Sequence, residues 1–126
     1  MLSIITENFI GGGHQVIDIA DTAVSLYTSY LTLIKPTTGP FAGKMASGVE
    51  LAVTTSDIYY TFNGTAPTTT GTAGHPFPVD ASMRVLGWQN VMLLKFIRQG
   101  AVSGKLVVTP LFTLVGVDLA ALAALI

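Results

Sequence analysis

Residues 57–68 read Asp57-Ile58-Tyr59-Tyr60-Thr61-Phe62-Asn63-Gly64-Thr65-Ala66-Pro67-Thr68. Ile58, Tyr60 and Phe62 alternate with Tyr59 and Thr61. Aromatic and β-branched residues in period 2 mark a strand. Asn63-Gly64 follows at once, and this dipeptide favours a turn with positive φ. Asn63-Gly64-Thr65 is also a formal glycosylation sequon, but the turn explains it better.

The same alternation recurs on both sides. Ile17 and Ile19 alternate with Val16 and Asp18 within Gln15–Ile19. Val49, Leu51 and Val53 alternate with Glu50 and Ala52, and Met83 and Val85 flank Arg84. Between Val24 and Ile34, residues Val24, Leu26, Thr28, Tyr30, Thr32 and Ile34 share one parity. A helix can be drawn through the same stretch, but Val, Thr and Tyr argue for strand. Val91–Ile97 is almost wholly apolar and reads as a central strand. A last strand starts at Leu106 and runs to Thr109 or on to Leu114. Short strands parted by Gly, Pro and Asn predict a mainly β fold, an antiparallel β-sandwich or barrel-like domain. Ile58, Tyr60, Phe62, Val91, Leu93, Leu94 and Phe96 are its expected buried residues.

The expected organisation is an N-terminal arm over 1–13, a β domain over 14–117 and a C-terminal tail over 118–126. Gly11-Gly12-Gly13 serves as a flexible joint for the arm. The tail, Asp118–Ile126, is rich in Ala and Leu and is the best helical segment, with Asp118 able to cap it. Leu106–Ile126 is long enough for a membrane span, but Pro110 and Asp118 lie inside it and no cationic flank anchors its end. A strand followed by an apolar tail fits better. No secretory signal is visible at the start.

The 126 residues are enough for one domain with its own core. Half of them are hydrophobic and only 10% are charged, with a net charge of -1. A typical domain carries about a quarter charged residues. A free monomer of this composition leaves neutral or apolar surface in water, and such surface associates. The balance also removes the basic footprint that nucleic-acid binding needs. Without cysteine there is no disulfide and no thiolate metal site.

No catalytic set emerges. His14 stands beside the glycine run and His75 in a Pro/Gly loop, and both read as exposed turn residues rather than metal ligands. The carboxylates are scattered, and Asp18 and Asp21 suit a strand end and a turn. The glycine run lacks the Lys-Ser/Thr of a phosphate loop. No cofactor is implied and no enzyme is expected. Trp88 falls at a turn between two expected strands, where it covers the end of its own core, stacks on a sugar or fills a partner's pocket; the first is favoured. The loops Lys35–Ala46 and Thr65–Asp80 hold five of the six prolines and suit contact with a partner surface.

From Asp57 to Val102 the chain resembles small virion proteins of tailed bacteriophages. The resemblance rests on Tyr60-Thr61, Asn63-Gly64 and Pro67-Thr68, then Gly71 and Gly74, then the segments Met83–Leu86 and Leu94–Ile97. It implies a capsid decoration or cement protein, or another head or tail component, located on the capsid surface after assembly in the host cytoplasm. It also implies as partners the major capsid protein and the chain's own copies, with a trimer as the expected oligomer. The turn is similar, too, to β-sandwich domains appended to chitin-processing enzymes, with Asn63 in place of an Asp. That keeps a carbohydrate-binding or adhesin module open. Neither nucleic acid nor membrane is an expected partner. The candidate protein-interface residues are Ile4, Ile5, Phe9 and Ile10 in the arm, Phe41 and Phe77 in the loops, Trp88, and Leu119, Leu122, Leu125 and Ile126 in the tail.

Overall fold

A computed structural model describes residues 9–113 and 123–124. Two antiparallel sheets face each other, and they do not close into a barrel. The larger sheet contains β1 (Phe9–Gly11), β2 (Gln15–Ile19), β4 (Gly48–Thr54), β7 (Ser82–Leu86) and β9 (Gly104–Thr113). In it β9 pairs with β4, and β4 with β7, while β1 and β2 lie one after the other along the opposite side of β9. The smaller sheet has the order β3 (Val24–Ser25), β8 (Lys95–Arg98), β5 (Ile58–Thr61) and β6 (His75–Phe77). Three short helices, α1 (Leu26–Ser29), α2 (Leu31–Ile34) and α3 (Trp88–Leu93), form one corner.

Strand alternation builds the core. Ile17 and Ile19 of β2, Val49, Leu51 and Val53 of β4, and Leu106, Val108 and Phe112 of β9 share the inner face and are buried. Across the gap lie Ile58, Phe77 and Phe96, with Leu26, Ile34, Val91 and Leu94 from the helical corner. Each such side chain contributes roughly 1.5–3 kcal/mol on burial.

Two glycines decide how closely the chain packs. A Cβ at Gly104 would stand 2.5 Å from the Ser56 carbonyl oxygen and 2.7 Å from Ile58 Cγ2, so β9 lies here directly against the β4–β5 connection and the Ile58 side chain. At Gly12 a Cβ would stand 2.9 Å from the Phe112 ring and 3.0 Å from Pro110 Cγ. The Gly12 N–H donates to the Pro110 carbonyl at 2.8 Å. Gly12 is therefore a close-approach position and no free joint. The same pairing explains a proline inside a central strand: Pro110 has no N–H, and it sits where β1 gives way to β2 and needs only an acceptor.

Several expectations change. Val24–Ile34 is strand only at Val24–Ser25 and then forms α1 and α2. Leu26, Tyr30 and Ile34 are four apart, a spacing that fits strand parity and a helix face alike. Thr28 and Thr32, of the same parity, are exposed, as a helix requires. Ser25 caps α1, its Oγ accepting from the Thr28 N–H at 3.3 Å. Val91–Ile97 splits into the end of α3 and β8, because a short apolar run carries no period. Leu93 is consequently 41% exposed, not buried; Phe62, just past the end of β5, is 43% exposed, and Tyr60 is half-buried. The expected strands in Gln15–Ile19, Val49–Val53, Met83–Val85 and from Leu106 form, and the one expected over Ile58–Phe62 forms as Ile58–Thr61. The strand from Leu106 is described as far as Thr113, and Leu114 lies outside the described residues. Apart from 123–124, the tail helix expected over 118–126 lies outside the described residues.

Gly104→Ala is expected to lower stability by about 1–3 kcal/mol, since backbone must move. Gly13→Ala, where nothing lies within 4 Å of the new Cβ, stays within about 0.5 kcal/mol. Urea denaturation of the two variants checks the contrast.

Candidate interaction surface

Gly87, at φ 95°, reverses the chain after β7 and starts α3 directly. Asn90 fixes the turn, its Nδ2 donating to the Leu86 carbonyl at 2.9 Å. The helix has room to bury only Val91. Trp88 is left 51% exposed, with Leu86 at 46% and Leu93 at 41% on either side of it. The expectation that Trp88 covers its own core does not hold: its helix turns the ring outward.

From α1 and α2, which share this corner with α3, Tyr27 and Leu31 are each 40% exposed. Tyr27, Met45, Ser47, Trp88 and Met92 line one open groove of about 430 Å³. Trp and Tyr give large contact area at low conformational cost and dominate binding hot spots. Methionine adapts its shape to what it meets. No charged residue is among the groove's lining. The arrangement is suited to burying an apolar partner surface, with no group in it positioned for proton or metal chemistry.

The other expected interface residues fall elsewhere. Phe41 is buried, its ring stacked on Phe112 with centroids 4.3 Å apart and planes 7° from parallel. Phe77 is buried between Ile58 and Tyr60. Both are core residues, because the Pro-rich loops fold back on their own sheets. Phe9 and Ile10 are half-buried and pair with Thr113 and Phe112 of their own β9. Ile4, Ile5, Leu119, Leu122, Leu125 and Ile126 lie outside the described residues. Tyr27, Leu31, Leu86 and Leu93 were absent from the expected set. Leu86 and Leu93 sit in runs that read as strand, and Tyr27 and Leu31 lose their place in a strand only once α1 and α2 are seen.

A second exposed group lies at the end of the smaller sheet. The Tyr60 and Phe62 rings are 6.2 Å apart and nearly parallel, and His75 tilts against both. His75 is thus a strand residue in an aromatic cluster, not a turn residue. Asn63 beside it accepts from the Thr65 N–H at 3.1 Å, closing the Asn-Gly turn with Gly64 at φ 87°. His14 is exposed between β1 and β2. Among the described residues no three His, Asp or Glu side chains gather as metal ligands. No helix of the described residues is long and apolar enough to cross a membrane.

Comparison with protein-family models, curated proteins and solved structures gave no match to this chain.

Trp88 is the single tryptophan, so its fluorescence reports on this corner alone. In dilute solution acrylamide is expected to quench it readily. Trp88→Ser is expected to leave stability within about 0.5 kcal/mol in denaturant melts, as for an exposed side chain.

Proposed function

We propose that this chain is a non-enzymatic structural protein of a virus particle, a capsid decoration protein that binds the major capsid protein and its own copies. The observation that carries the reading is the exposed apolar corner of Tyr27, Leu31, Leu86, Trp88 and Leu93. Side chains of this size exposed together mark a contact surface. Low charge fits the same role, since little must be desolvated when copies meet. In a particle, weak contacts are multiplied by symmetry and avidity. The virion setting comes from the sequence resemblance, as does the trimer as the preferred oligomer. The apolar tail, with Leu119, Leu122, Leu125 and Ile126, is assigned to contacts between subunits, as is the arm with Ile4 and Ile5.

The Tyr60, Phe62 and His75 cluster favours a second reading, a carbohydrate-binding module in which exposed rings stack on a sugar face. The two readings part on which exposed aromatic group matters.

Purified chain mixed with undecorated phage shells is expected to co-sediment with them and raise their disruption temperature. Trp88→Ser is expected to weaken shell binding by about 2 kcal/mol, roughly 30-fold. Phe62→Ser leaves it unchanged. Loss of glycan binding in Phe62→Ser, with no shell binding by the parent chain, would establish the second reading instead. Deleting 118–126 is expected to abolish association while the domain melts near its usual temperature. Unfolding without an assembly defect would make the tail part of the core.

A further inference from the structure

The larger sheet has two five-residue edges, β2 and β7. Sheet edges are commonly blunted by proline or by brevity. In the smaller sheet, β6 carries Pro76 and is followed by Pro78, and β3 is two residues long. Neither device occurs in β2 or β7.

The hydrogen-bond alternation shows what each edge offers. Gly87 N–H donates to Ser47 at 2.7 Å and Val53 N–H to Ala81 at 3.1 Å, and both pairs continue the β4–β7 register. Odd residues of β7 therefore bond to β4, and the backbone groups of Ser82, Arg84 and Leu86 point outward. On the far side, Gly12 bonding to Pro110 sets the even residues of β9 towards β1 and β2. Ile17 and Ile19 then bond to Leu106 and Gly104, and the backbone groups of Val16 and Asp18 point outward. Among the described residues only the Leu86 carbonyl has a partner, the Asn90 side chain, and a carbonyl accepts two bonds.

The outer face carries two ion pairs. Lys105 bonds to Asp18 at 2.7 Å across β9 and β2, and Arg84 bonds to Glu50 across β7 and β4. Val16 and Leu86, two residues along from Asp18 and Arg84, are 50% and 46% exposed.

We propose that β7 of one copy pairs antiparallel with β2 of the next, Arg84 opposite Asp18 and Leu86 opposite Val16. This rests on the reading that the chain binds its own copies, and it names the surfaces. In this register one row across the joint runs Lys105, Asp18, Arg84, Glu50, alternating in sign. The next row joins Val107 and Val16 to Leu86. On the inner face Val85 meets Ile17 and Met83 meets Ile19. All four outward backbone groups of each residue pair find partners. Symmetric pairing of β7 with itself sets Arg84 against Arg84, Ser82, Leu86 or, when centred on residue 86, Trp88, and lacks the charge match in each. The contact is heterologous, so it closes into a ring or continues as a chain.

The parent chain has no cysteine, which allows a direct test. Val16→Cys with Leu86→Cys, oxidised, is expected to give covalent oligomers on a non-reducing gel, because paired strands hold such residues within disulfide reach. Neither single variant should cross-link. Separately, Arg84→Asp and Asp18→Arg should each weaken self-association at least tenfold in sedimentation, without changing the circular dichroism melt. Mixing the two variants should restore it. Cross-linked dimers of Leu86→Cys alone would overturn the register in favour of symmetric β7 pairing centred on residue 86. Absence of cross-links while the parent chain still associates would overturn the edge contact and leave self-association standing. A parent chain that stays monomeric yet binds shells would overturn it and leave the decoration role standing. A parent chain that does neither would overturn both.

Discussion

The two sheets meet where there is no room for a side chain. Gly104 backs onto Ser56 and Ile58, and this contact sets the spacing from which the rest of the core follows. Along β9 the inner face then carries Leu106, Val108 and Phe112, so larger groups fill the space away from that contact. At the far end Phe112 stacks on Phe41, and the helical corner supplies Leu26, Ile34 and Val91. Interiors pack at crystal-like density, so a spacing fixed at one end constrains the side chains at the other.

The corner that completes the core also creates the exposed surface. Single-turn helices cannot bury more than one stripe of side chains. Leu26, Ile34 and Val91 take that stripe, and Tyr27, Leu31, Trp88 and Leu93 are left outside. Exposure there is thus a consequence of closing the sandwich with helical turns. The outer face of the larger sheet is different in kind, because its charges are already paired within the chain. Exposed pairs of this sort add little stability, but they fix which charge stands at each edge.

Most of the β framework is legible in the sequence, because Gln15–Ile19, Val49–Val53, Ile58–Phe62 and Met83–Val85 alternate, and in the first two of them alternate residues are buried. The helical corner is not. Leu26, Tyr30 and Ile34 satisfy both periods, and Val91–Ile97 satisfies neither. Phe41 and Phe77 sit among prolines and glycines, where sequence suggests loop, yet tertiary folding returns them to the core. Of the exposed corner only Trp88 stands among the expected interface residues; Leu86 and Leu93 depend on Gly87 starting α3, and Tyr27 and Leu31 on α1 and α2. The match between Asp18 and Arg84 depends on hydrogen-bond parity in two strands and has no signature in sequence.

Among the described strands, the central strand β9 is also the last in chain order. During synthesis β2, β4 and β7 are made long before the strand that joins β2 to β4. Until β9 arrives, the larger sheet has only the β4–β7 pair, and isolated pairs are marginal in water. Until then the nascent chain holds Ile17 and Ile19 in an unpaired segment, and Leu51 and Val53 in that two-strand pair alone. Its contacts are long-range, which slows closure once β9 is present. Until that strand is made, the exposed apolar segments of such a chain favour association with neighbouring chains.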